Sequence, residues 1–290
     1  MNDYYIHLLI LIGISFILAQ GFNLTFGVGK LLNLAHVAVY SIGAYVTALL
    51  ATELQQGFFT CVFASIAVSA LFALLIGAIS LKLSQDYFAI GTLAFSAVIS
   101  ALLINWKNLT RGVLGITGIP KPQILNIDFN SNINFLFLVL VFDILVSIFL
   151  YSVFRSSFAR GLKAQAENEY ASMSLGIDLK SIRNDSFIIS SALAGLAGSL
   201  YSYYINYIDP SSFSLTEMVF IMSIVIVGRP GSFWGVCLST IFLVLLPEPL
   251  RFLDIPSSVL GPVRQLLHAL ILFAVVFVNK KRLFPQERLV

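Results

Sequence analysis

Long apolar segments separated by short polar ones dominate the pattern of hydrophobic and polar positions along the chain. Seven segments are long enough to cross roughly 30 Å of hydrocarbon as α-helix. They are residues 4–26, 31–51, 58–81, 87–105, 133–154, 186–208 and 262–278. Two further segments, 213–227 and 233–246, have only 15 and 14 residues, which suits half-helices, re-entrant segments or tilted spans. The pattern predicts eight to ten helices across or partly across a membrane, with nine as the best count.

Composition supports the same fold class. Hydrophobic residues make up 58% of the 290 residues and charged residues only 11%, which is typical of an integral membrane protein and not of a soluble domain. A transmembrane barrel would require segments of about ten residues with alternating polarity, whereas these segments are longer and continuously apolar. We therefore expect an all-α bundle that forms a single transmembrane domain over residues 1–290.

The distribution of positive charge predicts the orientation of that bundle. If the polar segment 155–185 is cytoplasmic and nine helices cross, 12 of the 17 Lys and Arg residues lie inside and five outside, a strong positive-inside bias. This places the N-terminus outside, the loop 106–132 outside and the basic tail 279–290 in the cytoplasm. The Gly- and Pro-rich loop 106–132 can be a solvated connector, a docking surface or a lid.

Residues 155–185 form the only long polar segment, with nine charged residues among 31. Five apolar positions within it step by three or four residues, which predicts one face of a single amphipathic helix. They are Leu162, Ala166, Tyr170, Met173 and Ile177. We expect this helix to end near Gly176, and Asp178 to cap a second short helix that leads into the next span. The helix can lie on the bilayer or insert into a groove of a cytoplasmic protein, and its mixed charge favours the protein.

Short motifs along residues 19–250 carry a resemblance to a known family. They are GFNL at 21–24, LLNLAH at 31–36, GAY at 43–45, YFAI at 87–90, TLAF at 92–95, GITGIP at 115–120, SFARGLKA at 157–164, SLGI at 174–177, AGLAG at 194–198, DPSSF at 209–213 and GSFWG at 231–235. In order and spacing the chain resembles the permease subunits of branched-chain amino acid ABC importers, specifically the second, longer permease type. It departs from that type at Arg229, where a glycine is usual, and at Asn33 and His36, a pattern more typical of the partner permease.

The resemblance implies a multi-pass subunit of a bacterial cytoplasmic (inner) membrane that does not hydrolyse ATP itself. Its expected partners are a second permease, two cytoplasmic ATPases that bind ATP and Mg²⁺, an external substrate-binding protein and the lipid bilayer, with no nucleic acid. We expect no cofactor, metal or catalytic residue in this chain. The residues expected to couple it to an ATPase are Leu162, Ala166, Glu169, Tyr170, Met173 and Gly176.

The cargo implied by the resemblance is a branched-chain amino acid, with urea, other amides or other amino acids as alternatives. A different class of function, a self-sufficient ion-coupled carrier or a small-solute channel, also fits the composition. The segment Gly27–Val28–Gly29–Lys30 suggests a phosphate-binding loop, but Leu24 and Leu31 occupy positions that such a loop requires to be Gly and Ser or Thr. We therefore expect no nucleotide site in this chain.

Five residues are candidates for the translocation pathway: Gly27, Gly29, Asn33, His36 and Asp143. The two glycines predict either a discontinuous helix with free N–H groups or a plain turn. The histidine can bond substrate or a neighbouring helix, and the aspartate, central in an apolar segment, should face the bundle interior. Glu217 and His268 are interpreted as snorkelling or paired in the interior.

Small residues recur every four positions along residues 186–208. The two rows are Ser191, Gly195 and Ser199, and Ser190, Ala194, Gly198 and Ser202. Such a face permits close helix packing. It predicts either an internal contact or a contact between two permeases.

Overall fold

The structure, a computed structural model, describes residues 2–80, 85–124, 127–252 and 257–283. Its helices are α1 (Asn2–Phe22), α2 (His36–Thr52), α3 (Phe58–Ser80), α4 (Gln85–Asn105), α5 (Lys107–Thr110), α6 (Asn132–Arg155), α7 (Ser157–Glu167), α8 (Glu169–Ser174), α9 (Leu179–Ile205), α10 (Leu215–Val227), α11 (Phe233–Leu245) and α12 (Ser257–Leu283). The strands are β1 (Ile116–Thr117), β2 (Gln123–Ile124), β3 (Ile127–Asp128) and β4 (Tyr207–Ile208). Of the predicted cytoplasmic tail, residues 284–290 lie outside the described residues, as does Lys82.

Helical membrane architecture is confirmed. Seven of the described helical segments are long and apolar enough to cross a membrane, and α2 and α10 are shorter apolar helices. One predicted span is wrong: residues 31–51 do not form a continuous helix, because α2 begins only at His36 and has 17 residues. The chain before it turns through Lys30, whose φ is +52°. The predicted segment 233–246 corresponds to α11, which ends at Leu245; with the turn and the start of the 3₁₀ segment that follow, Phe233–Leu250 is long enough to cross.

A small-residue face places α9 at the centre of the bundle, against α2 and α3. A Cβ added at Gly198 would lie 2.3 Å from the carbonyl oxygen of Tyr40, and one at Gly43 would lie 2.6 Å from the Cα of Gly195. The Ser65 hydroxyl lies between the same helices, 3.0 Å from the Gly43 oxygen and 2.7 Å from the Gly195 oxygen. The predicted small face is therefore an internal packing face.

Two long helices separate the two polar ends of the molecule. α6 has 24 residues and α9 has 27, about 36 and 40 Å at 1.5 Å per residue. α6 leads from the loop 106–132 to α7, and α9 leads from α8 to β4. The loop 106–132 and the α7–α8 pair consequently lie at opposite ends of the bundle.

The loop 106–132 has structure of its own. It contains α5, a short 3₁₀ turn, β1, and the antiparallel pair β2–β3. β1 pairs with β4 in antiparallel register, Ile116 opposite Ile208, and the Asn206 side chain donates to the carbonyl oxygen of Ile119 over 2.7 Å. These bonds fix the loop to the end of α9.

Candidate functional site

Residues 157–174 of the polar segment fold as two helices, α7 and α8, and the prediction of one continuous helix is wrong. Asn168 lies between α7 and α8 with φ −155° and ψ 109°, and its side-chain oxygen accepts a 2.9 Å bond from the N–H of Ala171. This is the geometry of an N-cap. The break therefore rotates the second half of the predicted apolar face relative to the first.

The end of this segment agrees with the prediction. Gly176 has φ +79°, the left-handed conformation that closes a helix, and the Ile177 N–H bonds back to the Ser172 carbonyl over 3.1 Å. Asp178 accepts bonds from the N–H groups of Lys180 and Ser181. It caps α9 itself, however, since no separate short helix lies between α8 and α9 in this described stretch.

One face of α7 is docked on the bundle. Leu162 is completely buried and forms a cluster with Leu24 and Val28 at the end of α1. Its side chain reaches Gly29 so closely that a Cβ there would lie 3.1 Å from the Leu162 Cδ1. The Gln165 amide, also buried, donates to the Gly29 carbonyl over 3.0 Å. α7 is thus attached to the turn between α1 and α2.

A polar chain links α7, α8 and α9. The Arg183 Nε–H, on α9, donates to the Gln165 Oε1 over 2.6 Å, and its Nη2 forms an ion pair with the Glu169 carboxylate of α8. The Arg183 side chain is only 11% exposed. Bonds from a buried, planar guanidinium to two partners hold both helices in one orientation.

The other face of this element projects apolar side chains away from the bundle. Tyr170 is 81% exposed, Leu175 79% and Met173 49%, whereas Ala166 is half-buried. We refer to Tyr170, Met173 and Leu175 as the α8 tip. Of the predicted coupling residues, Leu162 therefore faces the bundle, and Tyr170 and Met173 face outward.

The predicted pathway residues at the α1–α2 junction are packed inside the protein. A Cβ at Gly27 would lie 2.4 Å from the Gly231 N, so this glycine permits contact with the turn between α10 and α11. That turn contains Arg229 at φ +67°, a left-handed conformation that favours glycine. The Asn33 Oδ1 accepts from the Ala35 N–H over 3.0 Å. Its Nδ2 has no hydrogen-bond partner within the described part of the chain.

His36 connects three helices. Its Nε2–H donates to the Leu18 carbonyl of α1 over 2.9 Å, and its Nδ1 lies 3.3 Å from the Ser190 hydroxyl of α9. Because a carbonyl oxygen can only accept, the proton lies on Nε2 and the hydroxyl donates to Nδ1. Both ring nitrogens are thereby satisfied by neighbouring helices.

Asp143 packs over a glycine of α1. A Cβ at Gly13 would lie 2.5 Å from the Asp143 Oδ2. Its Oδ1 is buried and has no hydrogen-bond partner among residues that the structure describes. The carboxylate faces the bundle interior, as predicted for a charged group in the middle of an apolar segment.

A cavity of about 230 Å³ lined by both polar and apolar side chains lies elsewhere, where α1, α2, α9, α10, α11 and α12 meet. Its polar lining is Ser15, Tyr40, Tyr201, Ser212, Glu217 and His268. The structure brings these side chains together from six separate parts of the sequence. None of the predicted pathway residues is among the described residues that line it. The sequence signal for this site was a carboxylate at the start of an apolar segment, Glu217.

The turn that follows β4 positions one of the residues that line that cavity. The Ser211 and Ser212 hydroxyls both donate to the Asp209 carboxylate, and Pro210–Phe213 form one 3₁₀ turn. Partial burial raises the pKa of Asp209, but the hydrogen bonds from Ser211 and Ser212 outweigh it, so the pKa lies below its ordinary value. An ionised Asp209 thus holds the turn that places Ser212 in the cavity lining.

A multi-pass helical bundle with a cavity among its helices, and with an amphipathic element docked at one end, fits the class of membrane transport subunits. Sequence comparison identifies the family within that class. The chain belongs to the family described as the branched-chain amino acid transport system permease component, which matches residues 4–278. The resemblance derived from short motifs is confirmed.

Several curated relatives are similar over most of the chain. The high-affinity branched-chain amino acid transport system permease protein LivM of Salmonella typhimurium is 34% identical over 261 residues, covering 82% of this chain and 61% of the relative. LivM of Escherichia coli is 33% identical over 261 residues, which also cover 82% of this chain and 61% of the relative. The autoinducer 2 import system permease protein LsrC of Photorhabdus laumondii is 25% identical over 236 residues, 76% of this chain and 67% of the relative. The chain spans about three fifths of the length of the two LivM relatives.

Proposed function

We propose that this chain is the permease subunit of an ABC importer that moves branched-chain amino acids across a bacterial cytoplasmic membrane. Family membership and similarity to two LivM proteins support the cargo and the mode of transport. ATP and Mg²⁺ bind partner ATPases, and this chain takes no part in hydrolysis. The observation that carries the proposal is the α7–α8 element, docked on the bundle by one face and exposing apolar side chains on the other.

The α7–α8 element has the form of a knob for a groove on an ATPase. Tyr170, Met173 and Leu175 form an exposed apolar tip next to charged residues, which suits helix-in-groove recognition by a protein. Movement of the tip would pass through Arg183 and Gln165 to Gly29, at the junction of α1 and α2. The element therefore provides a link from Glu169 of α8, through Arg183 and Gln165, to the junction of the membrane helices.

Each end of the molecule is assigned to its own partner in this proposal. The end carrying α7–α8 faces the cytoplasm in this proposal, and the structured loop 106–132 faces outward, where it meets a substrate-binding protein. A second permease completes the membrane part, and the N-terminus lies outside. The excess of Lys and Arg assigned to the cytoplasmic side supports this orientation.

A charge placed in the α8 tip tests the coupling role. Leu175→Asp should abolish co-purification of the ATPases while membrane insertion continues, because a carboxylate cannot be desolvated in an apolar groove. The matched control is Leu114→Asp, at a residue that is 81% exposed at the opposite end of the bundle. It should leave ATPase yield unchanged. Equal ATPase yields from the Leu175→Asp and wild-type proteins would refute the coupling role.

A further inference from the structure

The cavity at the meeting point of six helices has the size of a small solute. Its volume of about 230 Å³ lies below the roughly 300–1,000 Å³ of pockets for drug-sized molecules. Tyr201 contributes to it from the far end of α9, 22 residues beyond Leu179, or about 33 Å of helix. The cavity is therefore distant from the α7–α8 element and separate from the coupling link.

Glu217 contributes a carboxyl group to this cavity. The residue lies in the first turn of α10, and its side chain forms part of the cavity lining. Within the described residues, neither an ion pair nor a hydrogen bond joins the Glu217 carboxylate to another side chain. A carboxylate among membrane helices is costly unless a cation or hydrogen-bond donors compensate it. No Lys or Arg is among the described residues that line the cavity, so a cationic ligand group is the complementary partner.

Hydroxyl groups line the same cavity. Tyr40 and Tyr201 supply O–H donors, which can bind a ligand carboxylate, whereas the Ser212 hydroxyl already donates to Asp209. The Nε2–H of His268 donates to the Leu243 carbonyl over 3.2 Å, so this nitrogen is already bonded within the protein. The Glu217 carboxyl group and the tyrosine hydroxyl groups are thus on separate side chains around one cavity.

The rest of the lining is apolar. It is completed by Leu11 and Ile14 of α1, Phe220 of α10, Leu243 and Val244 at the end of α11, and Pro247. The lining thus has three parts: the Glu217 carboxyl group, the hydroxyl groups and the apolar side chains. A ligand that complements all three carries an ammonium group, a carboxylate and a short hydrocarbon side chain. A neutral amide supplies no cation for Glu217.

We propose that this cavity is a substrate site within the membrane, in which Glu217 binds the ammonium group of an aliphatic amino acid. The Tyr40 and Tyr201 hydroxyls bind its carboxylate, and the apolar residues contact its side chain. This inference rests on the proposed importer function and assigns its cargo to zwitterionic amino acids over urea and neutral amides. The selectivity then resides partly in the permease, in addition to any external binding protein.

The first test uses the wild-type complex, purified from its membrane through a tag on this chain, and measures thermal stabilisation by three probes. L-Leucine carries both charges, 3-methylbutylamine only the ammonium group, and 4-methylpentanoate only the carboxylate. Stabilisation by the first two, and at least tenfold weaker stabilisation by the third, is expected. Equal effects of the amine and the acid, or no effect of any probe, would overturn the assignment.

The second test changes Glu217. Glu217→Gln should raise the L-leucine concentration for half-maximal stabilisation about 10-fold to 100-fold, because a charge-assisted bond is lost, and Glu217→Asp should recover part of it. Glu53→Gln makes the same chemical change at an exposed residue paired with Arg111 and should leave binding unchanged. If the Glu217→Gln complex needs the same L-leucine concentration for half-maximal stabilisation as the wild-type complex, the inference is wrong.

ATP-dependent uptake in vesicles separates this inference from the proposed function. If wild-type vesicles import leucine only with ATP and Glu217→Gln vesicles import it equally well, the importer function stands and the site is wrong. If wild-type vesicles import leucine without ATP or partner ATPases, the importer function is wrong, whatever Glu217 does.

Discussion

The close contact between α2 and α9 depends on glycine, whose side chain is a single hydrogen atom. Gly198 lies against the backbone of Tyr40 and Ala44, so that a Cβ would lie 2.3 Å from one backbone atom and 2.7 Å from the other. Backbone cannot rotate away as a side chain can. The two helices can approach this closely only while the residue is glycine.

Gly198→Ala should therefore destabilise the protein. Overpacking in a well-packed interior costs about 1–3 kcal/mol, and the helices that separate also line the cavity. Gly261→Ala is the matched control, because it lies in α12 and a Cβ there meets nothing within 4 Å. Thermal melting of the detergent-purified protein should show a lower midpoint for Gly198→Ala and an unchanged or higher one for Gly261→Ala. A melting midpoint for Gly198→Ala at or above that of the wild-type protein would show that α2 and α9 can separate at little cost.

Residue spacing predicted the small face but not the cavity. The serine and glycine repeat in residues 186–208 is a local pattern, and it corresponds directly to the α9 packing face. Tyr40, Glu217 and His268 share no local pattern, since they meet only through the tertiary arrangement of α2, α10 and α12. Each of them alone resembles an ordinary interior or interfacial residue, which explains why the sequence did not single out the site.

At the scale of elements, the α7–α8 pair shows why periodicity alone is insufficient. The apolar residues between positions 162 and 177 continue to recur every three or four residues across Asn168, although the helix breaks there. Asn before Glu169 was a usable signal, because Asn favours the N-cap and an acidic residue favours the first helical turn. The predicted ends at Gly176 and Asp178 succeeded because backbone geometry at those positions selects the residue type.

Arg183 should be a positioning residue for this element. Arg183→Ala leaves the buried Gln165 Oε1 without its donor and frees Glu169, a local cost of about 1–3 kcal/mol. In a reconstituted complex we expect more ATP hydrolysed per leucine imported, with ATPase assembly retained. Arg160→Ala, at an exposed residue of α7, should leave that ratio unchanged.

A double-mutant cycle separates this role from a general loss of stability. If Arg183 acts through the ion pair, Arg183→Ala should change the ATP-to-leucine ratio less in a Glu169→Ala background than in the wild type. Fully additive effects on the ratio would mean that the ion pair does not transmit movement.

At the scale of the whole molecule, basic residues are unequally divided between two ends. Lys30 follows Gly29, whose carbonyl bonds to α7, and Arg229 lies in the turn that contacts Asn23 through Gly231. With the five Lys and Arg of residues 155–185 they occupy one end. The opposite loop, 106–132, carries only three, Lys107, Arg111 and Lys121. The positive-inside rule then predicts a cytoplasmic α7–α8 end.

Cysteine labelling in intact cells can measure this orientation. The native thiols are Cys61, which is buried, and Cys237, which is half-buried, and Cys61→Ala with Cys237→Ala provides a background without thiols. In that background Leu114→Cys should react with a membrane-impermeant maleimide in intact cells, because residue 114 is exposed on the predicted outer loop. Leu175→Cys should react only after permeabilisation. Since α6 and α9 fix the two positions at opposite ends, labelling of Leu175→Cys alone in intact cells would invert the orientation and remove the α8 tip from reach of any cytoplasmic ATPase.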